Sequence, residues 1–218
     1  MATLDPESPV RRALLAGATL ALAAVAAVGL VALVHDRAQP YIDASRRAER
    51  LRQLTAILGD TAYDNDPLMD TLPVRDPEYL GTTDTLTAHR VRLGGQPVAV
   101  LLNVVAPDGY TGAIRLLVAV DAQGRVLGVR VLAHRETPGL GDFIEERRSD
   151  WIRRCDGRSL DDPPPARWLV RKDGGDFDQY TGATVTSRAV VRAVRNALTY
   201  FERHREQLFA RPTLAPAP

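Results

Sequence analysis

The chain has 218 residues, with 28 Lys+Arg against 27 Asp+Glu, a formal net charge of +1, and 45% hydrophobic residues. So even a balance offers no electrostatic case for nucleic acid, and the length leaves room for one ordinary domain beside an anchor. Cys155 is the only cysteine, which excludes an internal disulfide and an iron–sulfur centre built from this chain's thiolates alone.

Ala13 to Val34 form an unbroken, charge-free, mostly apolar run. At about 22 residues it is long enough to cross a bilayer core of roughly 30 Å. A cleavable signal peptide is the rival reading, but its apolar region spans only about 7–15 residues. An uncleaved anchor is therefore expected at 13–34, after a cytoplasmic tail at 1–12. Arg11-Arg12 argue for a cytoplasmic N-terminus, whereas Arg37, Arg46, Arg47, Arg50 and Arg52 count the other way.

Residues 35–87 read as a stalk and loop-rich connector. Tyr41 to Leu58 has helical character, with Ile42, Ala48, Leu51, Leu54, Ile57 and Leu58 among many arginines. It either continues the membrane helix outward or packs on the domain. Thr61 to Thr87 reads as loop-rich, with Asp64-Asn65-Asp66-Pro67 and several isolated apolar residues. A domain is expected over 88–209. Ala88–Leu93 and Val98–Val105 look like a strand pair around Gly94-Gly95-Gln96-Pro97. Ile114–Val120 and Val126–Leu132 look like a second pair, joined by Asp121–Arg125 as a β-hairpin.

The next segment, His134-Arg135-Glu136-Thr137-Pro138-Gly139-Leu140-Gly141-Asp142, leaves the sheet through a Pro-Gly turn. Glu136 and Thr137 stand there to line a pocket at the sheet edge; simple turn punctuation and a solvated acid are the plain alternative. Asp161-Asp162-Pro163-Pro164-Pro165 is an exposed turn, and Trp168–Val170 is expected to return as a strand.

Asp178-Gln179-Tyr180-Thr181-Gly182-Ala183-Thr184-Val185-Thr186-Ser187 comes before a helix whose apolar positions are Val190, Val194, Ala197, Leu198 and Phe201. Thr184 offers an aliphatic hydroxyl behind two small residues, and Gly182 takes positive φ cheaply. Thr186 and Ser187 are good N-cap types. A helix start favours a phosphate through its unpaired N–H groups and dipole. Asp178 either holds a metal ion or activates the hydroxyl. Read alone, the stretch is also an ordinary capping turn. Residues 210–218 are Pro/Ala-rich and expected to be disordered. The four histidines lack metal-ligand spacing, so no metal site is expected, and Lys172, the lone lysine, reads as compositional bias. The pattern favours an α+β fold, an antiparallel sheet flanked by helices behind one transmembrane helix.

An apolar anchor, a hairpin ending in His-x-Glu-Thr-Pro-Gly-Leu-Gly and a downstream Thr-Gly-Ala-Thr-x-Thr-Ser together resemble the RnfG family, the G component of the Rnf ion-translocating electron transport complex. The C component of the sodium-pumping NADH:quinone reductase is related and shares the acceptor motif. The resemblance implies an FMN-binding domain on the periplasmic face of a bacterial inner membrane, in a complex coupling ferredoxin and NAD redox chemistry to ion movement. Its partners are the other components of that complex, with a flavin transferase for maturation. It implies covalent FMN on Thr184 through a phosphoester, with Glu136, Thr137, Gly139 and Leu140 around the ring or ribityl chain. Thr181, Gly182, Ala183 and Thr186 would shape the phosphate end, and Tyr110 and Thr111 close the pocket or simply pack. The chain would contribute no acid or base of its own and would not be an autonomous catalyst. Three other readings are a membrane-anchored assembly or binding protein without covalent flavin, the C component of a sodium-pumping NADH:quinone reductase, and a signal-peptide-bearing soluble reductase.

Overall fold

A computed structural model describes residues 9–210. The first eight residues of the expected cytoplasmic tail, and residues 211–218 of the expected disordered tail, lie outside the described residues. The chain divides into two units, meeting between Arg50 and Leu51.

The first unit is helical, belonging to α1, which runs Pro9–Thr55. Within it Arg12–Leu30 is a 19-residue stretch long and apolar enough to cross a membrane, with none of it buried inside the protein. Leu14, Leu20, Leu22, Val25 and Val28 are all exposed. A row of large exposed apolar side chains suits lipid rather than water.

The second unit is built on β1 (Thr71–Val74), β2 (Leu86–Leu93), β3 (Gln96–Ala106), β4 (Ile114–Asp121) and β5 (Val126–Ala133). They form one sheet in the order β1-β2-β3-β4-β5, every pair antiparallel. The long pairing of β3 with β4 sets Leu102 opposite Val118 and Val104 opposite Leu116. Alternate residues of β3 feed opposite faces. Val100, Leu102 and Val104 join the larger core with Val190, Val194, Ala197, Leu198 and Phe201 of α3 (Thr184–Phe209). Ala99 and Leu101 join Ile57, Leu58, Val91, Leu117 and Ala119 on the other face. Coverage on both faces explains why β3 and β4 read as apolar runs rather than clean alternations.

The end of the helical connector packs on the domain, through Ile57 and Leu58, with Leu54 partly buried beside them. Two expectations need correction. Part of the segment read as loop is ordered structure: β1 pairs with β2, and α2 (Pro77–Leu80) packs Leu80 into the core. Asp76 caps α2, accepting from the Glu78 and Tyr79 N–H groups at 3.0 and 3.1 Å, and Gly81 ends it at φ 74°. Trp168–Val170 is not a strand. Short 3₁₀ turns flank it at Pro165–Arg167 and Arg171–Asp173, leaving a single bridge from Val170 to Phe177. Trp168 is instead a core residue, its indole N–H donating to the Ser159 carbonyl at 3.0 Å.

The C-terminal end of α3 is held by charge. Arg90 and Arg92 are buried on β2, and each donates to Asp70, at 2.6 and 2.7 Å. Both also donate to the Ala210 carbonyl at 2.9 Å. Cations there suit the negative end of the helix dipole.

Candidate functional site

The site assembles around the start of α3. The helix begins at Thr184, two and three residues before the hydroxyls of Thr186 and Ser187 that look like caps, and its N-cap, Ala183, makes no side-chain bond. Those hydroxyls have other partners. Ser187 Oγ accepts from the Tyr180 N–H and donates to the Ala183 carbonyl, both at 3.1 Å. Thr186 Oγ1 donates to Glu136 Oε2 at 2.5 Å. The first-turn N–H groups thus keep the positive helix end with no side chain capping it. Thr184 occupies the first helical position, half-buried, and its hydroxyl has no hydrogen-bond partner among the described residues.

The turn before it is shaped by glycine. Gly182 has φ +86°, and a Cβ there would come 3.0 Å from Leu140 Cδ1. Leu140 belongs to the turn leaving β5, where the Leu140 and Gly141 N–H groups donate to the Thr137 carbonyl at 3.1 and 2.8 Å. Gly139, at φ 76°, donates its N–H to Asp142 Oδ1 at 2.8 Å.

Glu136 ties three segments together. Beyond Thr186, its Oε1 accepts from the Thr111 N–H at 3.1 Å. Thr111 Oγ1 donates to the Arg135 carbonyl at 2.5 Å, closing the same corner. Only 4% of Glu136 is exposed, and a Cβ on Gly141 would lie 2.9 Å from its Oε2. The Glu136 N–H donates to His134 Nδ1 at 3.0 Å, so the other ring nitrogen carries the proton that faces Glu145 Oε1 at 2.9 Å. Hydrogen bonds from Arg147, and then from His134, hold the Glu145 carboxyl down at about 2.

Between these segments lies a cleft of about 330 Å³, within the usual range of small-molecule sites. Of the residues singled out by sequence, Tyr110, Glu136, Thr137, Leu140, Gly182, Ala183, Thr184 and Thr186 line it. Gly139 and Thr181 do not: Gly139 turns the backbone behind it, and Thr181 faces solvent. Thr111 stands behind Glu136. Gly141, Lys172 and Val185 also line the cleft, and sequence reasoning passed over them. The one signal for Lys172 was its being the only lysine among 28 Lys+Arg.

Asp178 is engaged with two arginines in this arrangement. Its carboxylate pairs with Arg154 and with Arg171 (2.8 Å), and its carbonyl accepts from the Trp151 indole at 2.6 Å. Asp178 therefore braces the loop carrying Thr184. The brace extends through Tyr180, which stacks on Phe143 at 4.5 Å between ring centroids.

Residues 109–199 match the FMN-binding domain family, and residues 8–57 match the RnfG N-terminal region. The G component of an ion-translocating oxidoreductase complex from Pseudomonas aeruginosa is 52% identical over 205 residues, covering 94% of this chain and 96% of the relative. A protein of the same name from Shewanella oneidensis is 43% identical over 196 residues, covering 90% of this chain and 92% of the relative. The Vibrio vulnificus counterpart is 42% identical with the same coverage, 90% and 92%.

Proposed function

The chain belongs to the RnfG family of ion-translocating oxidoreductase complexes, and we propose that it carries FMN there through a phosphoester on Thr184. The observation that carries the covalent reading is the position of Thr184. An unengaged hydroxyl at the first residue of an uncapped helix opens onto a cleft of suitable size.

The residues present fit the group. A phosphoester needs an aliphatic hydroxyl free to react, and a site at the positive end of a helix for the remaining anionic charge. Both are supplied by the start of α3. Gly182 and Ala183 keep the approach to Thr184 free of bulk. Leu140 and Val185 give the cleft apolar surface, while Thr137 offers a hydroxyl and Glu136 a buried carboxylate.

FMN, when bound, supplies the acceptance and release of electrons. The protein's share is position and access. α3 fixes the ester end, the Thr137–Gly141 turn shapes the opposite wall, and Asp178 with its two arginines holds the acceptor loop still. Tethering keeps the cofactor in place where free FMN is scarce.

In this reading the chain is an electron-carrying component of a membrane complex that couples ferredoxin and NAD redox chemistry to ion translocation. Residues 1–12 face the cytoplasm, residues 13–34 cross the inner membrane, and the flavin domain stands on the periplasmic face. A flavin transferase loads it. A cysteine-free variant carrying single cysteines at residue 5 or residue 93 would locate each side through a membrane-impermeant thiol reagent. Labelling at 93 alone in intact spheroplasts is expected, and the reverse pattern refutes the orientation.

The decisive experiment is peptide mass spectrometry on protein made with a flavin transferase. A mass increase matching an FMN moiety on the Thr184 peptide, surviving denaturation, supports the covalent reading. An unmodified Thr184 reduces the motif to a helix start and favours an assembly protein without covalent flavin.

A further inference from the structure

The acceptor loop is rich in cations, and almost all of them are spoken for. Arg154 and Arg171 pair with Asp178, Arg167 pairs with Asp176, and Arg188 donates to Asp173 at 2.5 and 2.8 Å. Lys172 differs from them. It is exposed, lines the cleft, and makes no salt bridge within 4.0 Å among the described residues, feeling the carboxylate of Asp173 only at longer range. Its place is nevertheless fixed. The 3₁₀ turn Arg171–Asp173 ends in Gly174 at φ 84°, and the Lys172 N–H donates to Gln179 Oε1 at 3.3 Å. The neighbouring Asp173 is bound to Arg188, one turn beyond Thr184 on α3. The same ion pair therefore draws Lys172 toward the first turn of the helix.

We propose that Lys172 is the cation of the phosphate end of this site, holding the charge of the phosphoester against the uncapped start of α3. This rests on the reading that FMN is esterified to Thr184. The physical need is specific. Glu136 brings a buried carboxylate to within hydrogen-bonding distance of Thr186, two residues along the same turn. A phosphodiester added at Thr184 would place a second negative charge nearby, and helix N–H groups alone offset only part of that repulsion. A lysine suits the task better than another arginine. Its ammonium is a compact point charge on a flexible stem, able to swing aside while the loop is loaded and settle afterwards. In a chain that otherwise uses only arginine for its permanent cations, the exception stands at the one site where an anion is to be attached.

Being the single lysine, Lys172 can be read directly. Full-length protein in detergent, flavin-loaded by a coexpressed transferase, is compared with Thr184→Ala by timed acylation with an amine-reactive ester and peptide mass analysis. Loading is expected to slow acylation of Lys172 roughly two- to fivefold, the scale of a part-exposed ion pair. Steric cover by the flavin is separated from charge by the phosphorus NMR resonance of the loaded protein. That resonance should move in Lys172→Ala and return towards the wild-type position in Lys172→Arg. Equal acylation rates, or a phosphorus resonance indifferent to Lys172→Ala, overturns the proposal even though flavin is attached. Absence of any flavin mass on Thr184 sinks the covalent reading itself, and this inference with it.

Discussion

Thr184, the proposed acceptor, stands apart from its neighbours by what it does not do. Its hydroxyl holds no hydrogen bond among the described residues, whereas the nearby Thr186 and Ser187 are buried and committed. Thr184→Ala should therefore abolish flavin attachment and leave the unfolding midpoint nearly unchanged, read by in-gel flavin fluorescence and a thermal melt. Thr184→Ser should keep the flavin. Cys155 provides a check of fold in every such variant. Burial pushes its thiol up to about 12, so it should resist alkylation at pH 8 until the domain unfolds. Glu136 is the opposite case. Glu136→Ala strands the Thr186 hydroxyl and the Thr111 N–H, a loss of about 1–3 kcal/mol visible in urea denaturation. At Glu145 the folded carboxyl stands at about 2 against an ordinary 4.5. A depressed pKa stabilises above the unfolded value, and that contribution is lost as pH falls from 4.5 towards 2. Arg147→Gln should flatten this acid limb of a stability–pH curve.

α3 is the element that links the site to the rest of the fold. One end presents Thr184 and the other is gripped by Arg90 and Arg92 through the Ala210 carbonyl. Asp70 balances these two buried guanidiniums, its own side chain only 13% exposed. Removing it by Asp70→Ala leaves uncompensated buried charge, which costs about 3–5 kcal/mol; a large fall in the denaturation midpoint would confirm this, and an unchanged midpoint would refute it. Strands β2 to β5 and the body of α3 were legible because their signals are local: apolar runs broken by Gly-containing turns, and a 3.6-residue period. Trp168 was not legible. A short apolar triplet looks the same whether it pairs in a sheet or plugs a core, and only the Ser159 carbonyl distinguishes the two. α2 left a usable trace in Asp76-Pro77-Glu78 and Gly81, a cap, a first-turn proline and a glycine stop. Its four residues are too few for periodicity to show.

At the scale of the whole molecule, one helix apolar enough to cross a membrane precedes one sheet domain of the FMN-binding family. The chain should stay with membranes through an alkaline carbonate wash and come free only in detergent; release by the wash would argue for a soluble reductase. By itself the sequence determined the apolar span, the succession β2 to β5 and the place of the Thr184 hydroxyl near a helix start, because each is written in contiguous residues whose length, period or chemistry is decisive locally. Only the tertiary structure decided which groups face one another. Glu136 reaches Thr186 across 50 residues of chain, β1 closes the sheet from within an apparent loop, and Lys172 arrives at the cleft on a 3₁₀ turn. A side chain's partner depends on how distant segments pack, and no window of neighbouring residues contains that information.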